Sequence, residues 1–236
     1  MKKILLLALV AVCIGIAIPN KAHAVDITVG ATTWYAWWDF NQEGMDIDPT
    51  FLYGPALAVK FNDDFNLTFI YLYGKFDSTE KDDDPMKSEP VSKDKIKRSD
   101  SDLALNYRLN DFLKLFAGMK YMNFKSSGGF VHGGYGPGLG LSATFPVAEN
   151  LFLLGTFSGF YLWGNEEHGD REDYKFKESG FNSSLALAYY IAPASTTINL
   201  GGRYQYFKTD YNDSSQDGMS HKFYGITLTA TYTFSI

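Results

Sequence analysis

Beyond residue 24 the chain carries three histidines, His132, His168 and His221, the side chains best suited to move a proton near neutral pH. His168 lies in Glu166-Glu167-His168-Gly169-Asp170, and His221 follows Ser220. A base beside a carboxylate and a hydroxyl is the raw material of acid–base catalysis, but a loop histidine among acids is ordinarily just solvated.

A second group has a more telling spacing. Arg98, Asp100, Asp102, Asn106 and Arg108 fall at even intervals, as do Lys114, Phe116, Gly118 and Lys120. Each set lies on one face of a β-strand, where side chains alternate with period two. A tight turn at Asn110-Asp111 makes the two strands antiparallel and sets Lys120 opposite Asp100 or Asp102, with Lys114 beside Asn106 or Arg108. With Arg203 and Gln205, this cluster reads either as a plug of mutually satisfied charges or as a narrow polar conduit.

Phe152, Leu154, Phe160 and Leu162 lie on a third such face. The small residues Gly136, Gly138, Gly140, Ser142, Ala186 and Ala188 come from neighbouring strands, so either an apolar pocket or simple packing is expected there. No metal or cofactor is implied. Asp82-Asp83-Asp84 and Asp46-Ile47-Asp48 lack calcium-loop spacing, and the glycine-rich run 133–140 has no following helix to cradle a phosphate.

The elements that position these faces are strands. Ile226, Leu228, Ala230, Tyr232, Phe234 and Ile236 alternate with Thr227, Thr229, Thr231, Thr233 and Ser235. Ile27, Val29, Ala31, Thr33, Tyr35 and Trp37 likewise oppose Thr28, Gly30 and Thr32. The pattern predicts about ten strands, with eight or twelve as alternatives: 26–38, 51–61, 65–77, 96–109, 112–124, 134–145, 150–163, 178–191, 196–208 and 221–235. Four short links interleave with five long ones, near 39–50, 78–95, 125–133, 164–177 and 209–220. The expected fold is therefore all-β, an antiparallel up-and-down transmembrane β-barrel with long loops at one end and both termini at the other.

The N-terminus reads as a secretory signal peptide over residues 1–24. Lys2 and Lys3 precede an apolar run from Ile4 to Ile18 and the small-residue site Ala22-His23-Ala24. That run is shorter than the ~20 residues of a spanning helix. Cleavage there leaves the barrel as residues 25–236, removes the one cysteine, Cys13, and rules out disulfides. It also takes away Lys2, Lys3 and Lys21, leaving 18 basic against 27 acidic residues, a balance of −9. So acidic a chain is a poor partner for nucleic acid.

The leader, the period-two strands, Gly225 in the last strand and the aromatics Tyr232 and Phe234 near the end resemble small bacterial outer-membrane barrel proteins of the outer membrane protein W and X kind. The resemblance covers the whole chain and implies an integral place in the bacterial outer membrane. It implies a greasy face towards lipid, a girdle of Tyr35, Trp37, Tyr71, Tyr73, Tyr161, Trp163, Tyr204 and Tyr206, and as partners outer-membrane lipids, lipopolysaccharide and the barrel-insertion machinery. Many relatives end on an aromatic; this chain ends Phe234-Ser235-Ile236, with Phe234 in the equivalent register. A soluble lipocalin-like barrel with its faces reversed is the rival fold.

The function expected is non-enzymatic: a structural barrel, or a narrow channel passing small molecules, hydrophobic ones included. A surface-interaction or lipopolysaccharide-associated protein, with Lys95, Lys97 and Arg98 as a basic rim, is the first alternative. A lipid A or phospholipid-modifying enzyme is the second. Against an enzyme, the chain has neither an Asp-x-His pair like that of the omptin proteases nor a His-x-Ser triplet like that of the lipid A deacylases.

Overall fold

The computed structural model describes residues 25–40, 45–80, 92–168, 173–212 and 218–236. The described residues form eleven strands: β1 (Asp26–Phe40), β2 (Met45–Ile47), β3 (Thr50–Lys60), β4 (Phe65–Glu80), β5 (Ser92–Arg108), β6 (Leu113–Lys125), β7 (Phe130–Ala148), β8 (Leu151–His168), β9 (Tyr174–Ile191), β10 (Thr196–Tyr211) and β11 (Met219–Ser235). Ten of them close an antiparallel ring, each beside its neighbour in sequence, with β1 joined to both β3 and β11. The short β2 lies outside the ring count, on β4 where Met45 meets Glu80. The leader 1–24, with its expected cleavage site, lies outside the described residues.

Closure rests on the first and last strands, paired from Asp26↔Ser235 to Phe40↔His221. Threonines reinforce the seam from inside, Thr28 with Thr233 at 2.8 Å and Thr32 with Thr229 at 2.7 Å. The short turns are built by asparagine. Asn62 Oδ1 accepts from the backbone N–H of Asp64 and Phe65, and Asn110 Oδ1 accepts from Phe112 and Leu113, mimicking a backbone turn.

The strands extend further than expected at the opposite end. β7 begins at Phe130 rather than 134, β8 runs to His168 rather than 163 and β9 starts at Tyr174 rather than 178. The link expected over 125–133 shrinks to residues 126–129, where Gly129 has φ 92° and so suits the one residue without a Cβ. The acid-rich stretch 164–177 reads as loop, but the backbone ladder continues to Glu166↔Tyr174.

Side chains sort cleanly by face. Outside lie Val29, Leu57, Leu105, Leu139, Leu187, Leu200 and Leu228, all exposed. Inside, the long-loop half is filled by Trp34, Leu52, Phe76, Met122, Phe124, Leu162, Phe207 and Phe223, almost wholly buried. These rings span the lumen: Phe124 of β6 lies 6.3 Å from Phe207 of β10 and 6.1 Å from Phe223 of β11, centroid to centroid.

Glycines allow the wall to close. A Cβ at Gly118 would collide with the backbone of Leu103 and Ala104 on β5. Gly118→Val is accordingly expected to lower unfolding stability in detergent by about 1–3 kcal/mol, as overpacking does, read as an earlier loss of the heat-modifiable band; an unchanged midpoint would contradict this packing.

Candidate functional site

The charged cluster forms a layer across the lumen beneath the aromatic plug. Register pairs Asp102 with Lys120, Asn106 with Phe116 and Arg108 with Lys114. Arg98 Nη2 donates to Asp100 Oδ2 and to Gln205 Oε1, both at 2.7 Å, tying β5 to β10 across the tube. Lys120 Nζ lies 2.9 Å from Asp102 Oδ1 and 3.5 Å from Asp100 Oδ1, and Arg203 Nη2 lies 3.5 Å from Asp102 Oδ2. Three cations thus hold two carboxylates.

Arg98 is wholly buried, and its Nε and Nη1 have no hydrogen-bond acceptor. Its guanidinium lies 3.7 Å from the Phe223 ring centroid and 5.4 Å from those of Trp34 and Phe124. Aromatic faces take the place of the missing acceptors. Gln205 Nε2 is in turn directed at Met122 Sδ, 3.0 Å away.

The remaining predicted residues lie nearer the short turns. Asn106 Nδ2 bonds Thr68 Oγ1 at 3.2 Å and the carbonyls of Asn66 and Ala104 at 3.3 Å. Arg108 reaches towards the short turns, to Asp64 and Asp111, 3.6 and 3.8 Å away. Lys114 lines a cavity of about 440 Å³ whose roof carries Asp102, Lys120 and Arg203 and whose walls carry Asn66, Ser142, Thr156 and Ser184.

Of the four residues expected at an apolar pocket, Leu154 and Phe160 line this cavity, Phe160 and Leu162 pack into the plug, and Phe152 lies beside Pro146 and Ala188 nearer the turns, with Thr156 and Ser158 on the same lumen face. The expected basic rim also divides. Arg98 turns inwards, Lys95 faces Asp77 at 3.6 Å, and Lys97 alone of the three points outwards without an acid partner among the described residues.

A closed ten-stranded ring with an apolar outer wall, aromatics at both rims and a polar network inside is the build of a small outer-membrane β-barrel. The sequence matches no family model and no curated protein. Among solved structures the chain is similar to the outer membrane protease OmpT of Escherichia coli, at 14% identity and a TM-score of 0.53 over 89% of this chain and 97% of that one. The outer membrane protein OprG of Pseudomonas aeruginosa (14%, 0.36, 91% and 97%) and Ail, the attachment invasion locus protein of Yersinia pestis (13%, 0.34, 91% and 100%), are also similar. The chain thus has the fold of a closed ten-stranded antiparallel β-barrel, as OmpT does.

One cluster escapes the sequence reading. His132 Nδ1 lies 2.7 Å from Glu166 Oε2 and His132 Nε2 lies 2.8 Å from Glu178 Oε1. Tyr211 and Thr209 donate their hydroxyls to the same two carboxylates, at 2.7 and 2.8 Å. The imidazole also stacks on Phe176, with centroids 3.9 Å apart. His132 and Glu166 fall in stretches whose sequence reads as loop; only their even spacing from Gly134 and Phe160 signals an inward position. His221 is buried as well, where Trp38 Nε1 donates to its Nδ1 at 3.3 Å, and the side chain of His168 lies outside the described residues.

His132 stands above the lipid-spanning band, level with the outward, exposed Asn165, Glu167 and Lys175. Burial alone would lower its pKa, but hydrogen bonds and charge from Glu166 and Glu178 outweigh this and raise it to about 9. Such a buried imidazolium clasps β7, β8 and β9 together.

Two outcomes follow. The His132 clasp is fully present below pH 6.5, the ordinary histidine value, and weakens as pH rises through about 9. Unfolding stability should therefore fall by about 3 kcal/mol across that range, with the pH dependence gone in His132→Gln; a flat wild-type profile would contradict the clasp. In the charged layer, Arg98→Met should cost about 3–5 kcal/mol by leaving the buried Asp100 only its longer contact with Lys120, and Arg98→Met/Asp100→Leu should cost clearly less. Equal losses would show that the pair is not coupled.

Proposed function

We propose that the protein is a non-enzymatic, structural outer-membrane barrel that turns its short links towards the periplasm, is sealed across its extracellular half and is hollow on its periplasmic side. The carrying observation is the cross-lumen plug: Phe76 to Phe223 at 6.1 Å, Trp38 to Phe124 at 5.3 Å and Phe124 to Phe207 at 6.3 Å leave rings from β1, β4, β6, β10 and β11 in contact. The Arg98–Gln205 bond closes the layer beneath. In this reading the cavity of about 440 Å³ holds water and ends at that layer.

A narrow channel for small solutes, hydrophobic ones included, would require the plug to part. The energetic obstacle is large, because opening it would expose several buried rings and strip Arg98 of its aromatic and carboxylate neighbours. OmpT is a protease, but likeness at this identity concerns the fold. The burial of His132 and His221, with ring nitrogens taken up in hydrogen bonds, supports a structural role for both.

Planar-bilayer recording tests the reading. The wild-type barrel is expected to give no steady ionic current, whereas Phe124→Ala/Phe223→Ala, which removes the centre of the plug, is expected to give discrete steps. Stable wild-type conductance would replace the sealed barrel with the channel.

A further inference from the structure

Strand register brings three lysines side by side on the outer wall. Lys75 on β4 is opposite Lys97 on β5, and Lys97 is opposite Lys125 on β6. All three are exposed. Like charges directly opposite one another on a sheet are destabilising unless something of opposite sign lies between them.

Elsewhere on this upper wall several cations lie beside acids, although Lys175, opposite Asn165, has no ion pair among the described residues. Lys208 meets Asp210 at 2.7 Å, Lys222 meets Asp39 at 3.4 Å, Lys95 meets Asp77 at 3.6 Å, and Lys177 stands in register with Asp210. Lys75, Lys97 and Lys125 form no ion pair among the described residues. Asp77, two residues from Lys75 on the same strand face, is engaged by Lys95, and Asp94 accepts the backbone N–H groups of Lys95 and Ser127.

Height fixes what such a row would meet. Tyr71, Ser101 and Tyr121 stand in register on β4, β5 and β6, and the two tyrosines mark the outer aromatic belt there, at the edge of the hydrocarbon. The lysines are four residues further along each strand, about 13 Å at a rise of ~3.3 Å per residue. Their stems can snorkel back along that distance. This is the headgroup layer of the outer leaflet, where the negative groups are phosphates.

We propose that Lys75, Lys97 and Lys125 form a binding site for the lipid A phosphates of lipopolysaccharide, orienting the β4–β6 side of the barrel towards a bound lipid. Each ammonium is a point charge with three donors, suited to phosphate oxygens. The site lies on the outer wall and is independent of whether the lumen is sealed.

The test is titration of fluorescent lipopolysaccharide on to the full-length barrel folded in neutral detergent. Binding should weaken about fivefold for each lysine replaced by serine, should fall as salt rises, and should be lost with lipopolysaccharide stripped of its lipid A phosphates. Lys208→Ser/Lys222→Ser, which removes two acid-paired cations at similar height, should bind as the wild type does. Lys75→Ser/Lys97→Ser/Lys125→Ser with undiminished binding would overturn the proposal, as would equal binding of the dephosphorylated lipid. Should the triple variant fold poorly, Lys97→Ser alone removes the central charge: about fivefold weaker binding is expected, and unchanged binding would overturn the proposal. Bilayer recordings on the same samples report the state of the plug separately.

Discussion

Hydrocarbon offers a strand nowhere to send its backbone N–H and C=O groups except to another strand. The rest of this structure follows from the seam that meets that demand, fifteen residues of β1 laid against β11 and finished by the reciprocal bonds of Val25 and Ile236, 3.0 Å each. With the ring closed, parity does the remaining sorting. Every second residue must be tolerable to lipid, and every other one must share a tube whose width ten strands determine.

That width leaves more room than small side chains fill, and the chain uses it in layers. Near the long-loop end the filling is aromatic, with the His132 clasp at its edge; beneath it lies the sheet of charge from Arg98 to Arg203; below that, hydroxyls and amides surround a cavity. The order has a physical logic. Arg98 tolerates complete burial because it has a carboxylate and an amide on one side and ring faces on the other. Removing the aromatics would leave the charges open, and removing the charges would leave the aromatics without a floor. Plug and network stand together.

Much of this is legible in the sequence. The alternation of Ile226 to Ile236 with its threonines marks the lipid-facing register of the last strand, and the even spacing of Asp102 and Lys120 about a turn at Asn110 locates their pairing. What stays hidden depends on neighbours distant in the chain. Trp34 and Trp38 sit in a stretch aromatic on both faces, so parity alone does not mark them as lumen residues. Glu166 and His132 lie in polar sequence that reads as loop but continues the ladder. The lysine row is visible only when three strands are aligned, since 75, 97 and 125 share no local pattern.

The central claim is that the apolar parity faces lipid, and the four tryptophans report on it directly. Single-tryptophan variants folded in vesicles of brominated lipid should show strong quenching for Trp37 and Trp163, which project from the outer belt, and little for Trp34, which is buried in the lumen. Quenching of Trp34 with Trp37 and Trp163 protected would invert the two faces and contradict the account.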